Sequence, residues 1–130
     1  MSIDKDMKFL IVDDNQSIRQ IIADILRAAN FHNFTFAEDG KIAWKKLNND
    51  TLDCIILDWD MPVMNGMEFL DTLRDSGRYD DLPVLMLTAH STKEDVVSAI
   101  QHGATNYVVK PFTPDTLFKK LELVLGGKIT

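Results

Sequence analysis

Most features that mark a chain for a special class are scarce here. There is one cysteine, Cys54, so neither an internal disulfide nor a cysteine-based zinc site can form. Cys54 lies in the apolar run Cys54-Ile55-Ile56-Leu57, which fits a buried, inert thiol. With 4 prolines and 6 glycines, there is no linker, repeat or low-complexity tract. No apolar stretch approaches the roughly 20 residues of a membrane span. The opening Met1-Ser2-Ile3-Asp4-Lys5-Asp6 lacks the basic-then-apolar order of a signal peptide, so a cytoplasmic, reduced setting and no membrane partner are expected. Basic residues are also few: 14 Lys and Arg stand against 20 Asp and Glu, a net charge of −6. That balance argues against a nucleic-acid partner, whose phosphates call for a basic face. With the sequence ending at its last predicted helix, no helix-turn-helix and no DNA-binding role are expected. A phosphate-binding loop is missing too, because Gly127-Lys128 is followed by Ile129.

What remains is ordinary globular material, 130 residues with 45% apolar and 26% charged positions. Residues 1–130 are expected to form one domain with a core over about 8–125, the closing Gly126-Gly127-Lys128-Ile129-Thr130 being a short tail. Phe9-Leu10-Ile11-Val12, Cys54 to Leu57 and Val84-Leu85-Met86-Leu87 read as strands buried on both faces. Phe34-Thr35-Phe36-Ala37 and Asn106-Tyr107-Val108-Val109 are weaker strands. Helical stripes lie between them: Ile18, Ile21, Ile22, Ile25 and Leu26; Ile42, Ala43 and Leu47; Phe69, Leu70 and Leu73; Val96, Val97 and Ile100; Leu117, Leu121, Val124 and Leu125. Strand and helix thus alternate about five times, which predicts an α/β fold: a parallel sheet with helices on both faces.

Sites in such sheets form beyond the carboxyl ends of the strands. There the sequence places Asp13-Asp14, Asp58-Trp59-Asp60, Thr88-Ala89 and Lys110-Pro111. Three or four carboxylates, a hydroxyl and an ammonium would meet on one edge. Clustered acids raise one another's pKa unless a cation joins them. Mg²⁺ suits oxygen ligands, and no His or Cys beside the acids favours zinc. A carboxylate in such a site can accept a phosphoryl group, with Lys110 and Thr88 placed to meet its oxygens. Taken singly, each residue has a plainer role: Asp13 or Asp14 as a helix N-cap, Asp58 in a turn, Thr88 as a capping hydroxyl, Lys110 as a solvated cation. Their conjunction at successive strand ends is what argues for chemistry.

These motifs resemble the receiver domain of two-component response regulators. The resemblance covers about Lys8 to Leu125 and rests on Phe9-Leu10-Ile11-Val12-Asp13-Asp14, Asp58-Trp59-Asp60-Met61-Pro62-Val63-Met64-Asn65-Gly66, Leu87-Thr88-Ala89 and Tyr107-Val108-Val109-Lys110-Pro111-Phe112. The Trp59 context and the lack of an output domain look most like a CheY-type single-domain chemotaxis regulator. The resemblance implies a flavodoxin-like five-stranded sheet of order 2-1-3-4-5. It implies Asp58 as phosphoacceptor, Asp13, Asp14 and Asp58 with the Asp60 backbone carbonyl around Mg²⁺, and Thr88 and Lys110 on the phosphoryl group. Thr88 and Tyr107 would form the switch, with a cis Lys110-Pro111 peptide. Asp60 and His90 would flank the entrance for water and set the phosphate lifetime. A histidine kinase would be the donor. The target, a flagellar motor switch for example, would dock around Val96, Ile100, Tyr107 and Lys120. Ile100 is bulky and Leu123 apolar where chemotaxis relatives tend to be smaller or basic.

Three other readings fit parts of the pattern. Haloacid-dehalogenase-type phosphatases also carry Asp-x-Asp after a strand, as Asp58-Trp59-Asp60 does, but their further acids come late and a cap encloses the substrate. A non-chemotaxis phosphorelay receiver would share every site residue. A binding module without phosphorylation would not need all five acceptor-site positions. The chain is therefore expected to be no turnover enzyme, acting only in its own phosphorylation and dephosphorylation.

Overall fold

The computed structural model describes residues 3–129. Five strands and five helices alternate in chain order: β1 Lys8–Val12, α1 Gln16–Ala28, β2 Asn33–Ala37, α2 Gly40–Asn49, β3 Cys54–Asp58, α3 Gly66–Asp75, β4 Val84–Thr88, α4 Lys93–Gln101, β5 Asn106–Val109 and α5 Pro114–Leu125. All pairings are parallel and the sheet order is β2-β1-β3-β4-β5. Strands β3 and β4 run one residue longer than their apolar runs at the site end, because Asp58 and Thr88 still pair in the ladder, opposite Leu87 and Val109.

Alternation along the strands divides the core. Leu10, Val12, Ile55, Leu57, Val84 and Met86 face one side, under Ala43 and Leu47 of α2, Phe69, Leu70 and Leu73 of α3 and Ala99 of α4. Phe9, Ile11, Cys54, Ile56, Leu85, Leu87 and Val108 face the other, under Ile22, Ala23 and Leu26 of α1 and Leu117 and Leu121 of α5. Both faces are covered, which is why β3 and β4 read as unbroken apolar runs. Burial pushes the Cys54 thiol far above its ordinary pKa, so it is inert.

Several helical positions face otherwise than their spacing suggested. Ile21 is exposed, since the buried stripe of α1 runs through Ile22, Ala23 and Leu26. Helix α4 buries Ala99, while Val97 and Ile100 lie open. Its far end is fastened instead: Arg74 of α3 donates from Nε and Nη2 to the Gly103 carbonyl at 3.1 and 2.8 Å, and His102 Nδ1 lies 2.6 Å from Asp71. On α5, Leu123 is exposed. The closing segment is docked rather than a free tail. Ile3 N–H donates to the Lys128 carbonyl, Lys5 donates to the Ala29 and Ile129 carbonyls, and Ile129 is buried. Met1, Ser2 and Thr130 lie outside the described residues.

The caps release the candidate acids. Asn15 caps α1 by accepting the Ile18 N–H, so neither Asp13 nor Asp14 does. Thr92 caps α4, so Thr88 does not. Asn65 and Glu68 form a capping box on α3, and Thr113 caps α5 ahead of Pro114. Gly66 opens α3 beneath the site, where a Cβ would stand 2.4 Å from the Asp58 carbonyl oxygen and 2.9 Å from Trp59 Cα. Alanine is ordinarily the better helix former, yet Gly66→Ala is expected to destabilise the fold by about 1–3 kcal/mol, read as a lower midpoint in urea denaturation.

Candidate functional site

Strand order and direction place the carboxyl ends of β1 and β3 side by side, with the end of β5 one strand beyond β4. The sequence supplies an acid pair after β1, an acid closing β3, a hydroxyl closing β4 and a lysine after β5. Oxygen atoms of Asp13, Asp14 and Asp58 all lie within 4.8 Å of one another. Lys110 reaches across from β5, its Nζ 2.9 Å from Asp58 Oδ1 and 3.3 Å from Asp13 Oδ2. Asp13 and Asp58 are buried and Asp14 is exposed, so the cluster forms a notch with one open side.

Second contacts fix each member. Asp13 Oδ1 accepts the Asn15 N–H at 2.9 Å, and Arg19 of α1 donates to the Asp13 carbonyl. The Lys110 N–H donates to the Thr88 carbonyl at 2.8 Å, and the Trp59 N–H donates to the Leu87 carbonyl at 3.0 Å. Thr88 is buried, and its Oγ1 accepts the His90 N–H at 2.8 Å. The Lys110-Pro111 peptide is cis, as the resemblance implies.

Charge at this site does not balance. Burial pushes the Asp58 carboxyl above its ordinary range, against the pull of the Lys110 hydrogen bond, and Asp13 and Asp14 push it further. Asp13 rises for the same leading reason, although the Asn15 N–H and Lys110 oppose it. Burial lowers the Lys110 pKa, but hydrogen bonding to Asp58 and the charges of Asp13 and Asp58 more than reverse that, so its net displacement is upward. An isolated ion pair would lower its carboxylates. Here both rise because burial outweighs the pull of the single ammonium, and the neighbouring acids add to the rise. The deficit of two positive charges and the all-oxygen donor set fit a hard divalent cation.

Asp60 stands apart from this group. Its carboxylate turns to His90, both oxygens lying 3.0 Å from Nε2. The His90 ring stacks on Trp59, with centroids 4.2 Å apart, and its Nδ1 lies 3.7 Å from Asp95 of α4. Of the four acids expected here, the side chains of Asp13, Asp14 and Asp58 therefore converge and that of Asp60 does not. Sequence reasoning put Asp60 and His90 at the entrance but missed that they bind each other. The signal was their equal offset, two residues beyond the ends of adjacent parallel strands. Tyr107 pairs with Met86 inside the ladder, and Lys120 Nζ lies 5.3 Å from its ring centroid. Val97, Ile100 and Leu123 are exposed on α4 and α5, the helices flanking β5.

The sequence profile described as "Response regulator receiver domain" matches residues 9–122. The chain is 41% identical over 121 residues to the chemotaxis protein CheY1 of Helicobacter pylori (strain ATCC 700392 / 26695), covering 92% of this chain and 98% of that protein. It is 42% identical over 121 residues to the chemotaxis protein CheY homolog of Campylobacter jejuni, covering 92% and 93%. Among solved structures, the chemotaxis response regulator CheY4 of Vibrio cholerae superposes with a TM-score of 0.85 at 41% identity, covering 92% of this chain and 99% of that one. The receiver domain of Francisella response regulator 1452 gives a TM-score of 0.84 at 30% identity, covering 93% and 98%. The haloacid-dehalogenase reading gives way to these matches, which agree with the acid pair placed directly after β1. This chain belongs to the response regulator receiver domain family and is of the CheY type.

Proposed function

We propose that this chain is a response regulator that accepts a phosphoryl group on Asp58 from a histidine kinase and switches a protein-binding face in chemotaxis or motility. The observation that carries this reading is the Lys110 ammonium set between Asp58 and Asp13, with Asp14 completing the acid cluster. The carboxylates of Asp13, Asp14 and Asp58 and the Asp60 backbone carbonyl would hold Mg²⁺. When bound, Mg²⁺ supplies the missing positive charge beside the phosphoryl oxygens. An Asp58 carboxylate oxygen attacks the phosphorus of a phosphohistidine; an O–P bond forms, the P–N bond breaks and the imidazole leaves. Lys110 keeps its proton and pairs with the phosphoryl oxygens, and the buried Thr88 hydroxyl donates to them. Water later cleaves the acyl phosphate and returns inorganic phosphate. Asp60 and His90, closed on each other under Trp59, stand at the entrance for that water and set the lifetime.

The switch follows from charge. Phosphorylation adds roughly −1.5 to −2 at a buried strand end. Thr88 Oγ1 now accepts the His90 N–H, so turning toward a phosphoryl group redraws the β4–α4 loop. That loop leads into α4, which has a single buried side chain, Ala99. Tyr107, Val96, Ile100 and Lys120 line the face that then favours one packing, and a target such as the flagellar motor switch selects it. The compartment in this reading is the cytoplasm. Among the described residues no helix is long and apolar enough to cross a membrane.

Three outcomes are expected. A small phosphodonor with Mg²⁺ changes Trp59 fluorescence in the wild type, and Asp58→Asn abolishes the donor-dependent change; a persisting response would misassign the acceptor. Lys110→Ala keeps the Mg²⁺-dependent fluorescence change but slows phosphoryl incorporation about 10²–10³-fold, the usual cost of a lost charge-stabilising donor, read with radiolabelled donor. Asp13 has a raised folded-state pKa, so its ionised form disfavours the fold, and this penalty grows as pH rises through the carboxylate range. Metal-free Asp13→Asn is therefore expected to melt a few degrees higher near neutral pH, about 1 kcal/mol for a chain this long, with the gain fading in acid.

A further inference from the structure

We propose that His102 and Asp71 form a proton-controlled clamp on α4: acid tightens the helix against α3 and raises the cost of its repacking on phosphorylation. The clamp stands on contacts of its own, and its regulatory consequence rests on the phosphoacceptor role proposed for Asp58. Helix α4 depends on its ends. It buries one side chain, Ala99, and its outer Val97 and Ile100 are exposed. A helix of 9 residues is marginal on its own, so with little apolar packing its end contacts weigh more.

Three contacts meet at the carboxyl end. His102 is the C-cap, and its N–H donates to the Ser98 carbonyl at 3.0 Å. Its ring reaches α3, with Nδ1 2.6 Å from Asp71 Oδ1. Arg74, one turn further along α3, donates twice to the Gly103 carbonyl. Gly103 has φ +114°, and a Cβ there would stand 2.5 Å from Arg74 Cγ, so a side chain would push the guanidinium away. Arg74 keeps its charge, so its hold is constant. His102 does not, because an imidazole changes charge between about pH 5 and 8. Neutral, it can donate one hydrogen bond to Asp71. Protonated, it adds an ion pair across two helices. It also supplies a cation at the negative end of a helix whose first turn holds Glu94 and Asp95 and whose last turn holds no base.

The other charges on the elements packed against this end are Glu68, Arg74 and Asp75 of α3, and Arg78, Asp80 and Asp81 of the loop from α3 to β4. With Asp71 that makes five acids against two guanidiniums, so a cation on His102 is balanced rather than crowded. On β5, which also packs against α4, Tyr107 is the one titratable group. His90 lies 3.7 Å from Asp95 at the opposite end of the helix. A tilt of α4 about Gly103 changes its angle to α3, and a 2.6 Å contact between two side chains leaves little slack. Leaving the present packing therefore costs more while the ion pair stands, and proton and phosphoryl group act against each other through α4.

The test uses the full chain, labelled for NMR, at about pH 6 and about pH 8, beside His102→Gln, Asp71→Asn and the permanently charged His102→Lys. Without metal or phosphodonor, amide exchange corrected for its intrinsic pH dependence reads the clamp alone. Relative to His102→Gln, wild-type α4 is expected to be about two- to fivefold better protected at the lower pH than at the higher. Asp71→Asn should lose that difference, and His102→Lys should stay protected at both. With Mg²⁺ and beryllofluoride, a stable phosphoryl mimic, the concentration that half-shifts the Val97 and Ile100 amides should rise by a similar factor in acid. His102→Gln has the same acid site, so the ratio of the two proteins cancels the pH response of the rim. Equal pH dependence in wild type and His102→Gln would assign the effect to His90 or the rim and overturn the clamp. So would a His102→Lys that follows the wild type. Protection that behaves as expected, with no α4 response to beryllofluoride in any variant, would instead overturn the phosphoacceptor role and with it the regulation.

Discussion

One ammonium group holds three strands in a common task. Lys110, just beyond β5, bonds carboxylates that close β3 and follow β1, across the intervening β4. The reach works because the sheet is parallel, so every strand delivers its last residue to the same rim. It matters because Asp13 and Asp58 are buried and would otherwise be stranded charges. Yet the lysine only partly compensates. Both carboxyls stay raised, chiefly by burial, with Asp14 adding to both and Asp13 to Asp58. A site left short of positive charge is a standing invitation to a divalent cation, and the same shortage disfavours a phosphoryl group arriving without one.

Much of this was legible in the sequence, for a physical reason. A strand covered on both faces has no room for a polar residue, so the first acid, hydroxyl or lysine after an apolar run marks the rim. Asp13, Asp58 and Thr88 could be found that way, and Lys110 followed from the weaker β5 run. The strand order could not; it came from the family resemblance. Helix facing was harder. A stripe at spacings of three and four admits either of two neighbours, and Ile22 rather than Ile21 won the core. On α4 the apolar residues were real but their burial was not, since packing there rests on Ala99.

Contacts between distant segments were the least readable. The Lys5–Ile129 hydrogen bond joins residues 124 apart, and nothing local announces it. Asp60 and His90 meet only because their strands are neighbours in register. The caps mattered in the opposite sense. Asn15, Asn65, Thr92 and Thr113 satisfy the helix starts, and Asp13, Asp14 and Thr88 are thereby free to serve the rim.

The fastening of α4 has a mechanical meaning. Arg74 and His102 anchor the end near Gly103, while little side-chain packing restrains the rest of the helix. Such an element behaves as a cantilever. Its fulcrum sits at Gly103 and its deflection grows toward Thr92, the tip nearest the acids. A displacement at the rim is thus largest at Thr92 and falls off along the exposed flank of Val97 toward Gly103, without any need for the sheet beneath to deform.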